Sequence, residues 1–456
     1  MPHHDDLPPG VLRRAGDAPV LGSEQTSWIH PDGPVHGPGR RPDPGRPEGT
    51  DLLPAIDHLV VLVMENHSFD NYLGTLGRGD GFTLGEDGLP VEANPAPDGT
   101  PVRAFHLDTT RQPVDEPKPD WNATHDAWHD GALDGFVTAS GRTAMGYWTA
   151  EDLPYYAALA STFPLCDRYF CSALTQTFPN RRFLWSGTAL GMVRTEIPPL
   201  DEEPPNGTIF DALDRHGIEW RNYFGDLPEP ALYPPVWFRS TERGRTYEAF
   251  LADCAAGALP PLSVVTPRTD LSEENPQDVQ EGEAFAASII DAVLASPAWP
   301  RTLLVWTYDE HGGYFDHVPP PAAVRPDDVE PRLDPEHRPG RYDRLGFRVP
   351  AVVVSPWARA DHVSHVIHDH TSVLRLIETK WNLPALTRRD ANASNLLDCL
   401  DLSGSPAFRD PPTLPAPALV ARGEVPRGGL PAAAKAPTVE AVGRPVHLPD
   451  THRQTP

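Results

Sequence analysis

The sequence predicts an α/β fold, with a mainly parallel central sheet covered by helices on both faces. Three observations lead there. Short, nearly continuous β-branched runs recur in the middle of the chain, as strands buried on both faces require. Amphipathic helical patterns lie between those runs. Oxygen-bearing side chains follow directly on the two most apolar runs, where an open parallel sheet collects its ligands.

Taken in order, residues 56–64 (IDHLVVLVM) read as the first strand. Residues 77–145 have little periodicity and many Gly, Asp and Pro, and are expected to form a long insertion over one sheet edge, near the active site. Helical patterns cover 152–161, 180–190 and 208–216. Residues 218–223 and 262–266 are weaker strands, followed by a helix over 279–294. Residues 302–308 (TLLVWTY) form the second strong strand. A third, 351–354 (AVVV), is bounded by Pro350 and Pro356, and a helix covers 371–381. These elements define one α/β domain over 51–402. Residues 1–50, rich in Pro, Gly, His and Asp, read as an extended or disordered arm, and 403–456 as a Pro/Ala-rich tail.

Composition narrows the function. The 456 residues are 39% hydrophobic and 8% aromatic, enough for a real core. The net charge of -26 repels phosphate backbones, so no nucleic-acid partner is expected, and anionic membranes are a poor match. No run approaches the roughly 20 apolar residues of a membrane helix, so no integral membrane association is expected. The four cysteines show no paired CxxC spacing; they read as buried thiols rather than a structural zinc site or a disulfide framework. Arg13-Arg14 is followed by no apolar stretch, so no export signal is read and a cytoplasmic location is expected.

The chemistry collects at a few places. Glu65-Asn66 follows the first strand and Asp309-Glu310 follows 302–308. Like charges at two strand ends are costly unless a cation lies between them, and an all-oxygen set suits Mg, Ca or Mn, with Zn also open. In Thr175-Gln176-Thr177-Phe178-Pro179-Asn180-Arg181, Thr177 and Pro179 fit a capped helix start. The N–H groups there and the arginines that follow suit an anion. His362, His365, His368 and His370 lie close together, but their spacing fits no helical metal face; His370 is the better candidate, as a general acid. His125 and His129 have the same alternatives open. There is no G-x-S-x-G, P-loop, G-x-G-x-x-G or H-E-x-x-H string, which leaves metal-assisted hydrolysis as the best-supported class.

With these residues in hand, the chain resembles the bacterial phosphoesterase family of phospholipases C and related acid phosphatases. The resemblance rests on IDHLVVLVMENHSFDNYLG (56–74), LPYYAALASTFPLCDRYFCS (153–172), TQTFPNRRFLWSGT (175–188), TLLVWTYDEHGGYFDHVPPP (302–321) and DHTSVLRLIETKW (369–381). It implies an alkaline-phosphatase-like fold. It also implies one or more divalent metal ions on Glu65, Asn66, Asp309 and Glu310, with Thr177 as nucleophile and further ligand. The family histidines near the phosphate correspond to His125 and His370, and Asn66, Asn180, Arg181 and Asn275 fall at substrate-binding positions. Asn275 stands where the family usually carries the histidine of an E-H-P string, and His67 and Asn71 stand where Arg and His are common. The substrate implied is a phosphate ester, with phospholipids among the candidates, cleaved through a phosphothreonine. The alternative is a catalytically weak relative that binds a phosphorylated ligand. Many relatives are exported, so the resemblance leaves secretion open.

Overall fold

The computed structural model describes residues 35–114 and 116–421. The twin-arginine string, most of the expected arm and the end of the tail lie outside the described residues. Within them, the apolar runs become the centre of one eight-stranded sheet. In chain order its strands are β1 (His58–Met64), β2 (Leu165–Cys166), β3 (Trp220–Phe224), β4 (Gly244–Arg245), β5 (Leu262–Thr266), β6 (Thr302–Tyr308), β7 (Ala351–Val354) and β8 (Val363–Ser364). They lie side by side as β8-β2-β7-β6-β1-β5-β3-β4.

The sheet is mainly parallel. Only β7 runs against its neighbours, antiparallel to both β6 and β2. β1 lies between β6 and β5, parallel to both, in a place where both faces are covered. That position explains why it is almost wholly apolar and β-branched. Successive side chains of β6 point to opposite faces. Trp306 packs on Tyr156 of the Pro154–Thr162 helix, with ring centroids 4.6 Å apart. Thr307, on the other face, meets the hydroxyl of Tyr169, which in turn reaches His370 at the start of the His370–Lys380 helix.

The register of β1 on β6 positions the site. His58 pairs with Thr302 and Met64 with Tyr308, so the two strands end level with each other. Glu65-Asn66 and Asp309-Glu310 therefore emerge side by side. The segment 77–145 carries short strands and helices whose apolar side chains, among them Val102, Phe136, Val137 and Met145, pack on Leu174, Phe315 and Phe347. It thus rests on the loops that precede Thr177 and follow Glu310. At the chain ends, the Asn382 amide donates to the carbonyls of Asp43, Arg46 and Pro47. Phe408 packs on Phe163 with ring centroids 4.7 Å apart.

Candidate active site

The loop after β1 enters the site with an unusual backbone. Asn66 has φ +68°, a left-handed conformation that costs energy unless the surroundings hold it. Here the Asn66 N–H donates to Asp309 Oδ1 at 3.1 Å, and the Glu310 N–H donates to the same oxygen at 2.7 Å. Gly312 N–H donates to Glu310 Oε2 at 2.7 Å. The two strand-end loops thus hold each other through backbone groups as well as side chains.

A second brace fixes the loops from behind. Ser68 Oγ donates to the Phe315 carbonyl at 2.7 Å and caps the helix Phe69–Leu73 by accepting from Asn71 N–H. Arg348, wholly buried, donates to Asp316 Oδ1 at 2.8 Å and Asp70 Oδ1 at 3.0 Å. His317 Nδ1 meets Asp70 Oδ2 at 2.6 Å. Burial pulls the His317 pKa down, but its hydrogen bonds to Asp70 and Asp80 outweigh that and hold it at about 10. His67 and Asn71, two of the three places where the sequence departs from the expected pattern, touch each other: His67 Nδ1 lies 2.7 Å from Asn71 Oδ1.

At the centre, one end of the Asn66 side-chain amide is shared. It lies 2.9 Å from Glu310 Oε1 and 3.1 Å from Asp309 Oδ1. The Thr177 hydroxyl is 3.4 Å from it. With nitrogen on that side the amide donates to both carboxylates; with oxygen there, three acceptors converge and need a cation. Their spacing matches the edge, about 3 Å, of an octahedron with metal–oxygen bonds of about 2.1 Å.

Charge points the same way. The carboxylates of Glu65, Glu229 and Asp309 pair with one guanidinium, that of Arg181, and Glu274 and Glu310 lie near the same acids. Burial, with Asp309 and its other acidic neighbours, pushes the acid groups of Glu65 and Glu310 well above the usual carboxylate range. Glu274 is raised by burial and by Asp309. A buried, oxygen-only, over-acidic cluster fits a divalent cation. Glu65, Asn66, Asp309 and Glu310 are the residues that would hold it, with Thr177 at its border.

Thr177 is the first residue of the helix Thr177–Ser186, whose N-cap is Gln176 with no side-chain cap bond. The expected capping role therefore does not fall to Thr177, and its hydroxyl is left to face Asn66. Thr175 differs: its Oγ1 donates to the Val193 carbonyl at 2.6 Å and is fully buried.

The other expected residues are placed as follows. Arg181 does not face an open pocket. It donates to Asp309 Oδ2 at 2.9 Å, Glu65 Oε1 at 3.3 Å, the Met64 carbonyl at 3.2 Å and Glu229 Oε1. The Asn180 amide is spent inside the preceding loop, accepting from Ala173 N–H and donating to the carbonyls of Ala173, Thr175 and Gln176. His370 is buried, with Nε2 2.6 Å from the Asp309 carbonyl and Nδ1 3.3 Å from the Tyr169 hydroxyl; burial lowers its pKa. His125 has Nδ1 2.7 Å from the Trp121 carbonyl, and burial lowers its pKa too. Asn275 donates to the Glu116 carbonyl at 2.6 Å. None of the hydrogen bonds of His125 or Asn275 among the described residues reaches the carboxylate cluster.

Sequence reasoning missed Glu229 and Glu274. Glu229 lies beyond β3, a strand too weakly apolar to draw attention to its end. Its carboxylate takes bonds from Arg181, from Trp185 Nε1 at 2.5 Å and from Thr266 Oγ1 at 3.3 Å.

Residues 56–384 match the phosphoesterase family. The chain belongs to that family and is a hydrolase acting on phosphoric ester bonds. It is 32% identical over 400 residues to phospholipase C A of Mycobacterium tuberculosis, covering 76% of this chain and 75% of that one. Against the non-hemolytic phospholipase C of Pseudomonas aeruginosa the identity is 31% over 422 residues, covering 80% of this chain and 59% of the relative. Non-specific phospholipase C6 of Arabidopsis thaliana is 32% identical over 394 residues, covering 79% and 75%. Among solved structures, a protein in the alkaline phosphatase superfamily from Vibrio parahaemolyticus aligns at 10% identity with a TM-score of 0.36, covering 71% of this chain and 76% of the other. That likeness is too remote to bear on the site. No helix among the described residues is long and apolar enough to cross a membrane.

Proposed function

We propose that this chain hydrolyses phosphodiesters of the phospholipid type, with the Thr177 hydroxyl as nucleophile beside a divalent cation. The observation that carries the reading is the Asn66 amide end, shared by Thr177, Asp309 and Glu310 while the hydroxyl of Thr175 is tied elsewhere. The family supports ester hydrolysis, and the relatives' names support a phospholipase C substrate.

Glu65, Asn66, Asp309 and Glu310 would hold the divalent cation, which when bound would supply positive charge that favours the deprotonated hydroxyl and offsets charge on the phosphoryl oxygens. Thr177 Oγ1 forms a bond to phosphorus as the bond to the leaving oxygen breaks. With a phospholipid, the diacylglycerol alcohol departs and the headgroup phosphate stays on Thr177. Water then attacks phosphorus and returns the hydroxyl. His125 is assigned to protonate the leaving oxygen through Nε2, which makes no hydrogen bond among the described residues; because the Trp121 carbonyl holds the Nδ1 proton, Nε2 first takes up the proton that the Thr177 hydroxyl releases. His370, with both ring nitrogens engaged, positions the Asp309 backbone. Arg181 and Asn180 are positioning residues as well: one holds the carboxylates, the other shapes the loop before Thr177.

The test is a parallel assay of an aryl monoester, a bis-aryl diester and phosphatidylcholine, with Thr177→Ala as the blank. The diester and the lipid are expected to turn over, and Thr177→Ala to be inert on both. Preference for the monoester would refute the diester assignment.

A further inference from the structure

A second group of metal-binding side chains lies at the β8 end of the sheet, supplied by three segments far apart in sequence. His362 precedes β8, Cys166 ends β2, and Asp398 and Cys399 lie in the turn Leu397–Cys399. A ring nitrogen of His362, a carboxylate oxygen of Asp398 and the Cys399 sulfur all lie within 4.8 Å of one another. Cys166 lies outside that close group and reaches it through Cys399 alone: the two sulfurs are 3.7 Å apart, against a tetrahedral edge of about 3.8 Å for zinc–sulfur bonds of about 2.3 Å.

One of these groups is left without a partner by the protein itself. His362 Nε2 is buried and has no hydrogen-bond partner among the described residues. Asp398 Oδ1 is paired with His368 Nε2 at 3.2 Å. Ser364 Oγ donates to Asp398 Oδ2, which fixes the carboxylate from the other side. Both thiols are buried and free. An unpaired imidazole nitrogen, an acid and two thiols in contact are a costly set to bury for packing alone. Nitrogen and sulfur donors select zinc, whereas the oxygen cluster around Asn66 suits harder cations.

We propose that His362, Asp398 and Cys399, joined by Cys166, bind one zinc ion that ties β8, β2 and the 397–399 turn together. Binding releases the thiol protons to solvent, since cysteine binds zinc as thiolate. Spacing in the sequence argued against zinc because the cysteines form no CxxC pair and the neighbouring histidines fit no helical face. The ligands instead come from segments that the sheet brings together.

The test uses the full chain, reduced, stripped with chelator and reloaded with Co²⁺ alone. An intense near-ultraviolet thiolate-to-cobalt charge-transfer band is expected, which the oxygen cluster cannot give. Zinc should bleach it. Cys399→Ser should lower the band to half or less, since only Cys166 remains as a thiolate, His362→Gln should abolish or shift it, and Glu65→Gln should leave it intact. Absence of the band overturns the proposal, as does a band unchanged in His362→Gln, the variant that decides if Cys399→Ser fails to fold. Thiol titration of denatured, unreduced protein is expected to find all four cysteines reactive. A missing pair would reveal a Cys166–Cys399 disulfide and overturn it too.

Discussion

A Cβ on Gly312 would lie 1.9 Å from the carbonyl oxygen of Asn66. The glycine also has φ +66°, so both space and backbone demand it. Without a side chain there, the loop after β6 packs closely against the loop after β1, beside the left-handed Asn66. Gly312→Ala is expected to lower stability by roughly 1–3 kcal/mol and to cut kcat sharply by shifting the Asn66 amide. Thermal melts and kcat on a soluble diester check this; wild-type kcat in the variant would mean that Asn66 placement does not depend on the contact.

Arg181 is the one cation within the acidic cluster among the described residues. Arg181→Met removes the partner of Asp309, Glu65 and Glu229, all three drawn to it in ion pairs. Breaking a buried pair by deleting one side costs about 3–5 kcal/mol. That loss is expected in chelator and should shrink when Mg²⁺ or Ca²⁺ is added, because the cation takes over part of the neutralisation. Denaturant melts with and without metal measure it. An equal loss in both conditions would show that the guanidinium and the cation do not share these carboxylates.

His317 gives the fold a pH dependence with a defined sign. Its pKa is raised in the folded chain from 6.5 to about 10. The stabilisation is therefore fully present below the unfolded value and is lost as pH rises through about 10. His317→Gln should be less stable than the parent at pH 7, and its stability should fall less steeply between pH 7 and 10. Urea melts across that range decide it, and parallel curves for the two proteins would remove His317 as the source.

Much of the scaffold was legible. Thr302–Tyr308, Ala351–Val354, Leu262–Thr266 and the helix Val279–Leu294 fall at the bounds read from the sequence, because full burial leaves an unbroken apolar run and a helix leaves its 3.6-residue period. The direction of β7 was not legible, since strand composition does not encode which way a neighbour runs. Nor were the two-residue strands β2, β4 and β8, too short to show any alternation. At the site, Glu65-Asn66 and Asp309-Glu310 stood out as polar pairs ending apolar strands. Arg181 stood out only as a basic residue near a helix start; that it turns inward to Asp309 and Glu229 depends on tertiary contacts. Glu229 and Glu274 were hidden in loops, where an acidic residue is ordinary.

The central claim is the covalent role of Thr177. Rapid quench of the enzyme with a bis-aryl phosphodiester, followed by peptide mapping by mass spectrometry, measures it most directly. The expected result is a phosphoryl ester adduct on the peptide containing Thr177, at Thr177, with no adduct and no turnover in Thr177→Ala. An adduct on another residue, or turnover that survives in Thr177→Ala, would contradict the account.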